Sequence, residues 1–77
     1  GYAQSYVALG RGLGTRLVTA LVERLFADPA VTRIQTDPAP TNLRAIRCYE
    51  KAGFRRLRSV VTPDGPAEYM VRDRRDR

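Results

Sequence analysis

A chain of 77 residues suits one small domain, and a domain of this size buries only roughly 60% of the surface that its unfolded chain exposes. Its formal charge is +6, which comes from thirteen arginines and one lysine set against eight acidic residues. A single cysteine and the absence of histidine exclude an internal disulfide, a cysteine-based metal cluster and a histidine-based catalytic triad, and no apolar run reaches the roughly 20 residues that span a bilayer.

The chain begins with a predicted strand and a glycine turn. Residues 1–9 contain aromatic and β-favouring residues without a helix cap, which predicts a short strand. Gly12 and Gly14 then place bare backbone N–H groups at a helix start, an arrangement suited to a diphosphate. Arg11 and Thr15 could add side-chain contacts, and the alternative is a glycine turn that binds nothing.

A row of leucines predicts the first helix. The row recurs every four residues and consists of Leu13, Leu17, Leu21 and Leu25. Val18 and Val22 join this apolar side, and Pro29 is expected to end the helix. Residues 31–37 carry four β-branched side chains between two prolines, which predicts the next strand.

A second helix of about three turns is predicted between a cap at Asn42 and a stop at Gly53. Asn42, Ala45 and Tyr49 follow each other at spacings of three and four, so they share a helix face. Asn42 can pair with an amide, Ala45 permits close approach, and the Tyr49 hydroxyl can donate a proton to a leaving group. The alternative for Tyr49 is a core aromatic, and Cys48 is interpreted as a packing residue.

The remaining residues predict a hairpin, with strands over 54–62 and 67–72 and a turn over 63–66. Arginine is concentrated here and in the tail, at Arg55, Arg56, Arg58, Arg72, Arg74 and Arg75. This pattern would suit a polyanion, but the more ordinary interpretation is a solvated strand face followed by a frayed tail over 72–77. The order strand, helix, strand, helix, hairpin predicts one α/β domain over residues 1–77.

Two other phosphate-binding motifs fit the glycine turn poorly. A Walker loop ends in Gly-Lys-Ser or Gly-Lys-Thr, whereas this chain has Gly14-Thr15-Arg16. A dinucleotide fingerprint counted from Gly10 requires glycine or alanine where Thr15 stands, and no acidic residue lies about 20 residues later in a suitable position. The glycine turn and the second helix together predict an acyl-coenzyme A site.

These two segments resemble the GNAT superfamily of N-acetyltransferases, through Gly12-x-Gly14 at a helix start and Asn42-x-x-Ala45-x-x-x-Tyr49-x-x-x-Gly53-Phe54. From Arg11 to Arg72, about four fifths of the chain, the resemblance is to aminoglycoside 6'-N-acetyltransferases. It implies a partial GNAT fold: a mixed β-sheet with two helices and a C-terminal β-hairpin. It also implies acetyl-CoA as the cosubstrate, an aminoglycoside amine as the acceptor, and no metal.

The resemblance implies a role for each residue that matches the family's pattern. The residues expected to bind acetyl-CoA are Arg11, Gly12, Leu13, Gly14, Thr15, Asn42 and Ala45. Tyr49 would protonate the departing thiolate of coenzyme A. Asp37 and Asp64 would lie beside the aminoglycoside, since carboxylates offset the charge of an aminosugar. Judged by the residues alone, both aspartates are ordinary turn residues.

The resemblance breaks before Arg11. The first ten residues look like a strand that in these enzymes lies well before the glycine loop, whereas here they run directly into it. The absent stretch would hold the strand that aligns the thioester and further acidic residues for the acceptor. We therefore expect residues 1–9 to serve as a surrogate strand. We also expect the enzyme to be impaired, and no residue of this chain can be assigned as the general base.

Two other function classes stay open: a non-catalytic CoA-binding remnant or module, and a small arginine-rich nucleic-acid binder. The sequence contains no recognisable nucleic-acid recognition motif that would support the second of these. We expect a small-molecule partner, no nucleic acid and no membrane, and a cytoplasmic location. An exposed sheet edge left by the absent stretch could let two chains associate. Because the chain begins at Gly1 rather than at methionine, an upstream segment with a targeting signal could be missing.

Overall fold

Four strands and two helices make up the computed structural model, which describes the backbone of residues 6–8 and all of residues 14–75. In chain order the elements are β1 (Tyr6–Ala8), α1 (Thr15–Phe26), β2 (Arg33–Thr36), α2 (Leu43–Lys51), β3 (Arg55–Thr62) and β4 (Gly65–Asp73). The sheet order is β1-β2-β4-β3. β1 runs parallel to β2, and the other neighbours are antiparallel. The predicted α/β architecture, with a mixed sheet and a C-terminal hairpin, is confirmed.

The N-terminal strand occupies the position beside β2. Tyr6, Val7 and Ala8 are in parallel register with Arg33, Ile34 and Gln35, respectively. Parallel neighbours need a crossover connection, and α1 provides it here. The predicted surrogate strand is therefore present over Tyr6–Ala8, while the rest of its predicted range, residues 1–5 and 9, lies outside the described residues.

Helix α1 turns its valines, and not its leucine row, toward the core. Val18 and Val22 are buried, whereas the Leu17 side chain is 51% exposed. A spacing of four drifts by about 40° for each repeat around an α-helix, so a row of leucines winds off the packed face. The drift brings Leu25 against the core and leaves Leu17 in solvent. The predicted helix is therefore confirmed, and of its leucine row Leu25 contacts the core while Leu17 lies in solvent.

Helix α2 begins and ends where its local sequence predicts. The Asn42 side chain accepts a hydrogen bond from the backbone N–H of Ala45 at 3.2 Å and so caps the first turn. At the other end Gly53 has a φ of 96°, a conformation that favours glycine. The cap and the glycine stop both depend on the local backbone, so the sequence predicts them without knowledge of tertiary contacts.

The core lies between the two helices and one face of the sheet. Ile34 of β2 and Met70 of β4 are fully buried there. They pack in one cluster with Val18 of α1, Ile46 of α2 and Phe54, which follows α2. Both helices therefore cover the same hydrophobic centre, and the first turn of α1 contacts α2 through Thr15 and Cys48.

The last strand extends further than the predicted hairpin. β4 continues through Asp73, and the guanidinium of Arg74 donates hydrogen bonds to the backbone oxygens of Val31 and Asp28. The same guanidinium lies 4.9 Å from the ring centre of Phe26. The expected frayed tail is therefore wrong for residues 72–74, because these donors satisfy carbonyls of the loop between α1 and β2. Residues 76–77 lie outside the described residues.

Replacing Gly53 by alanine is expected to destabilise the protein by about 2 kcal/mol, since it combines backbone strain with a close contact. A Cβ at Gly53 would lie 3.2 Å from Nε of Arg72. Gly65 is the matched control, because its φ of 114° gives similar strain while its Cβ would meet nothing within 4 Å. We expect about 1 kcal/mol for Gly65→Ala in urea unfolding. Equal losses would mean that Arg72 moves aside without cost.

Candidate functional site

A cleft of about 620 Å³ opens between the first turn of α1 and the outer side of α2. Four of the predicted cofactor residues meet in it, and the predicted Arg11, Gly12 and Leu13 lie outside the described residues. The residues that line the cleft are Gly14, Thr15, Asn42, Arg44, Ala45, Arg47, Cys48 and Lys51. Two segments 28 positions apart in sequence, Gly14 and Asn42, thus form the two sides of one concave site.

Glycine at the start of α1 leaves this wall of the cleft open. Gly14 is the N-cap of the helix with an extended backbone, and no side chain caps the first turn. A Cβ built on it would meet nothing within 4 Å. The first N–H groups of a helix have no partner within the helix and carry part of its positive end charge, so this end of the cleft suits an anion.

One side-chain contact joins the two walls. The Thr15 hydroxyl donates to the sulfur of Cys48 at 3.2 Å. Cys48 is buried and packs in the core, as predicted, but it also lines the cleft. This second position was missed because it depends on how α1 and α2 cross, and the helical spacing of α2 alone does not determine that crossing.

The side-chain amide of Asn42 has its oxygen engaged and its NH₂ group available. Its side-chain oxygen accepts the Ala45 N–H as the helix cap. Its NH₂ group makes no hydrogen bond to another described residue, so it is the part of Asn42 that can donate to a ligand carbonyl. Ala45 lies one turn further along the same wall and keeps that wall low.

Tyr49 lies deeper than the cleft. Its side chain is 2% exposed, and its ring packs edge to face against Phe54 with 5.4 Å between ring centres. It follows Asn42 and Ala45 along α2, but it does not line the cleft with them. The assignment of Tyr49 as the proton donor stays a prediction, alongside its evident role in the core.

The two predicted substrate carboxylates lie on loops outside the cleft. Asp37 directly follows β2, and Asp64 occupies the turn between β3 and β4; both are exposed. The backbone around each is held firmly. Pro38 accepts the Glu68 N–H at 2.8 Å, and the Thr62 hydroxyl bridges the N–H of Asp64 and the carbonyl of Gly65. Their role beside an acceptor stays a prediction.

The hairpin arginines are largely engaged within the fold. Arg55 pairs with Asp73 at 2.8 Å, and Arg58 lies 5.1 Å from the ring centre of Tyr69. Arg56 lies 3.6 Å from Glu68. These contacts occupy charge that a nucleic acid would need, and they favour the interpretation of a solvated strand face over a polyanion site.

The ion pairs around Asp73 predict a loss of stability in acid. Arg33 donates to both carboxylate oxygens, at 2.6 and 3.1 Å, and Arg55 adds a third hydrogen bond. The hydrogen bonds from Arg33 hold the pKa of Asp73 below its ordinary value of 3.8, and the pKa of Arg33 is raised by the same contact. A carboxyl with a lowered pKa stabilises the fold above the unfolded pKa, and this contribution is lost as the pH falls below it.

We therefore expect the free energy of unfolding to fall as the pH drops through about 4 and below. Asp73→Asn should cost about 1 kcal/mol at pH 7, and its difference from the wild type should shrink toward pH 3. Urea unfolding at both pH values measures this. Asp64→Asn, at an exposed turn position, controls for the loss of a carboxylate. A difference that stays constant with pH would contradict the assigned role of Asp73.

Neither a metal site nor a membrane span is found in the part of the chain that the structure describes. Its cysteine and acidic side chains form no group of three that could hold a metal ion. Among residues 14–75, neither helix is long and apolar enough to cross a membrane.

The sequence profile described as the acetyltransferase (GNAT) domain matches residues 4–62, which is more than half of the chain. It includes the β1 segment, the glycine start of α1 and all of α2. The chain belongs to the GNAT acetyltransferase family. Its cleft between α1 and α2 is therefore a feature of a GNAT domain.

Relatives with curated names resemble this GNAT chain closely. The aminoglycoside N(6')-acetyltransferase type 1 of Klebsiella pneumoniae is 56% identical over 102 residues, covering 96% of this chain and 51% of the relative. The kanamycin resistance protein of Rhizobium radiobacter is 74% identical over 66 residues, covering 86% of this chain and 61% of the relative. The chain thus spans about half to three fifths of the length of these relatives.

A solved structure has the same fold. The aminoglycoside acetyltransferase AAC(6')-Ib in complex with coenzyme A and kanamycin superposes with a TM-score of 0.79 at 72% identity. The match covers 88% of this chain and 40% of that chain. The resemblance to aminoglycoside 6'-N-acetyltransferases predicted from the sequence is confirmed.

Sequence reasoning missed three basic residues of the cleft. Arg44, Arg47 and Lys51 line its outer wall. Their spacing of three and four along α2 is the signal that could have found them, because it places them within about 60° of one another on the helix surface. We call these three residues the basic stripe.

Proposed function

We propose that this chain binds acetyl-CoA in the cleft and transfers the acetyl group to an amine of an aminoglycoside, at a rate lowered by the absence of an aligning strand. The observation that carries the proposal is the cleft itself, which is lined by the glycine start of α1 and by α2 from its cap Asn42 to Lys51. Its support is the 72% identity to AAC(6')-Ib, whose structure is a complex with coenzyme A and kanamycin.

Residues on both walls would hold the cosubstrate. The backbone at Gly14 and the positive end of α1 would bind the pyrophosphate, with Arg11, Gly12, Leu13 and Thr15 as the sequence predicts. The NH₂ group of Asn42 would donate to an amide carbonyl of the pantetheine arm, and Ala45 would leave room for that arm. When bound, acetyl-CoA would supply an acetyl group activated as a thioester.

In the reaction the acceptor amine attacks directly within a ternary complex. A carbon–nitrogen bond to the acetyl group forms as the carbon–sulfur bond breaks, and the amine gives up a proton to solvent. Tyr49 donates its hydroxyl proton to the departing thiolate and regains one from solvent. No covalent enzyme intermediate is involved, and no residue of this chain is assigned as the general base.

The acceptor would lie against carboxylates. Asp37 at the end of β2 and Asp64 in the hairpin turn are exposed and carry no ion pair within the described residues, so both are available to ammonium groups. A carboxylate that accepts a hydrogen bond from an ammonium group also offsets its charge. This chemistry suits a polycationic aminosugar such as kanamycin, which the related AAC(6')-Ib binds.

The proposed loss of rate follows from what stands beside β2. The parallel neighbour there is β1, from the first ten residues. The alignment with the Klebsiella relative runs over 102 positions, more than the 77 residues of this chain, so part of that relative lies opposite a gap. Positioning of two reactants contributes more to catalysis than one proton donor, so a substituted strand beside β2 should lower turnover most.

A second candidate is a CoA-binding module without catalysis, which the cleft and the substituted strand support together. Calorimetric titration with acetyl-CoA, followed by an acetylation assay with kanamycin, separates the two. Binding with slow turnover supports the impaired enzyme, and binding without turnover supports the module. Turnover at rates of about 1 to 10³ per second would refute the impairment. An absence of binding would remove both candidates.

Self-association belongs to the same proposal. β3 and β1 are the outer strands of the sheet. β3 carries Arg55, Arg56 and Arg58 and an irregular register between Arg56 and Arg58, features that discourage edge pairing. We therefore place any association at β1, and light scattering over a concentration series tests it. On composition we also propose a cytoplasmic location and no nucleic-acid partner, the latter testable by filter binding at low salt.

A further inference from the structure

We propose that the basic stripe binds the ribose 3′-phosphate of coenzyme A, which would make the cleft selective for coenzyme A over dephospho-coenzyme A. The inference rests on the proposed function, because it assigns a second phosphate position within the same cleft. Arg44, Arg47 and Lys51 all line this cleft, opposite the start of α1.

The charges of the basic stripe are not paired with acidic side chains of the described residues. None of its three side chains forms an ion pair or a hydrogen bond with any other residue in the described ranges. By contrast, Arg33, Arg55 and Arg56 all lie beside carboxylates. Three positive charges on one helix face repel one another, and Glu50, the acidic residue beside them on α2, lies 3.8 Å from Arg56 instead. A bound anion would offset that repulsion.

The chemistry of a phosphate monoester matches this wall. Such a group carries about −1.5 to −2 charges at pH 7 and three acceptor oxygens, and a guanidinium can pair with two of them at once. The diphosphate of the same ligand would already be held at Gly14 on the facing wall. The 3′-phosphate lies one ribose ring away from that diphosphate, and the stripe extends about 10 Å along α2.

Coenzyme A carries a diphosphate and a separate 3′-phosphate, so a ligand that lacks only the 3′-phosphate tests the contribution of the basic stripe. Coenzyme A and dephospho-coenzyme A differ only in the 3′-phosphate. The wild-type chain should bind coenzyme A at least about tenfold more tightly, as expected for a charge-assisted pair. Because the stripe is exposed, this ratio should also fall as the salt concentration rises from 50 to 500 mM.

The test is calorimetric titration of both ligands against the wild type and three variants. In Arg44→Gln/Arg47→Gln the ratio of the two affinities should fall to about one, while the affinity for dephospho-coenzyme A stays within about twofold. Arg24→Gln is the matched control, since it removes an exposed arginine of α1 that does not line the cleft. Lys51→Gln serves as an independent variant and should lower the ratio by less. Circular dichroism checks that each variant is folded.

Each alternative result has a distinct meaning. Equal binding of the two ligands by the wild type would overturn the inference and leave the proposed function standing. A ratio that survives in both stripe variants, or that falls equally in Arg24→Gln, would also overturn it, because net charge and not the stripe would then be responsible. If the wild type binds neither ligand, the proposed function fails and the inference fails with it.

Discussion

Replacing Gly14 by aspartate is expected to leave the protein as stable as the wild type and to weaken acetyl-CoA binding by at least about 100-fold, or about 2.7 kcal/mol. Gly14 caps α1 without a side-chain hydrogen bond, and a Cβ there meets nothing within 4 Å. An aspartate at this position can cap the first turn and favours the positive end of the helix. The same carboxylate would occupy and repel the diphosphate site.

Gly14→Asn separates charge from bulk, since asparagine has nearly the same size and caps equally well. It should weaken binding less than aspartate does. Calorimetric titration gives the affinities, and thermal unfolding gives the stability. If the aspartate variant is folded and binds acetyl-CoA like the wild type, the start of α1 is not the diphosphate site, and Gly14 is only a turn residue.

Tyr49→Phe is expected to lower kcat for acetyl transfer by about 10² to 10⁴, the usual contribution of a positioned acid, with little change in the affinity for acetyl-CoA. Phenylalanine keeps the edge-to-face packing against Phe54, so the core should remain intact. The fall should be largest with acetyl donors whose leaving thiol is most basic, because these need the proton most.

Tyr69→Phe is the matched control for this substitution. Tyr69 lies in β4, and its hydroxyl donates to the side-chain oxygen of Gln35, outside the cleft. Tyr69→Phe removes the same hydroxyl group as Tyr49→Phe does and should leave kcat within about twofold, with any cost appearing in the free energy of unfolding. Equal kcat values for the wild type and Tyr49→Phe would assign Tyr49 to the core alone.

Structural features that depend on a few neighbouring residues could be predicted from the sequence. Asn42 caps α2 and Gly53 ends it, as the residue types indicate, because capping and a positive φ are properties of the local backbone. Gly14 and Asn42 line one cleft, as expected from the combination of a glycine turn with the second helix and from the family resemblance, although no local rule places these two segments together.

Positions that depend on how elements pack were not predictable in the same way. Helical spacing places Tyr49 on a face with Asn42 but does not tell how deep that face lies, and its side chain is in the core. Leu17 satisfies the apolar pattern and is exposed, because the pattern drifts around α1. The sequence predicts Arg74 to be a charged residue of a frayed tail, whereas its guanidinium donates hydrogen bonds to the backbone carbonyls of Asp28 and Val31.

The pairing of β1 with β2 has a consequence for how such a domain tolerates rearrangement. Each of the three residue pairs joins backbone to backbone, and the N–H and C=O groups that β2 presents are the same whatever side chains stand opposite. An extended segment of another sequence can therefore complete the sheet, whereas the orientation of a substrate depends on which side chains that segment carries. In evolutionary terms the architecture of this domain is more forgiving of a spliced strand than its chemistry is.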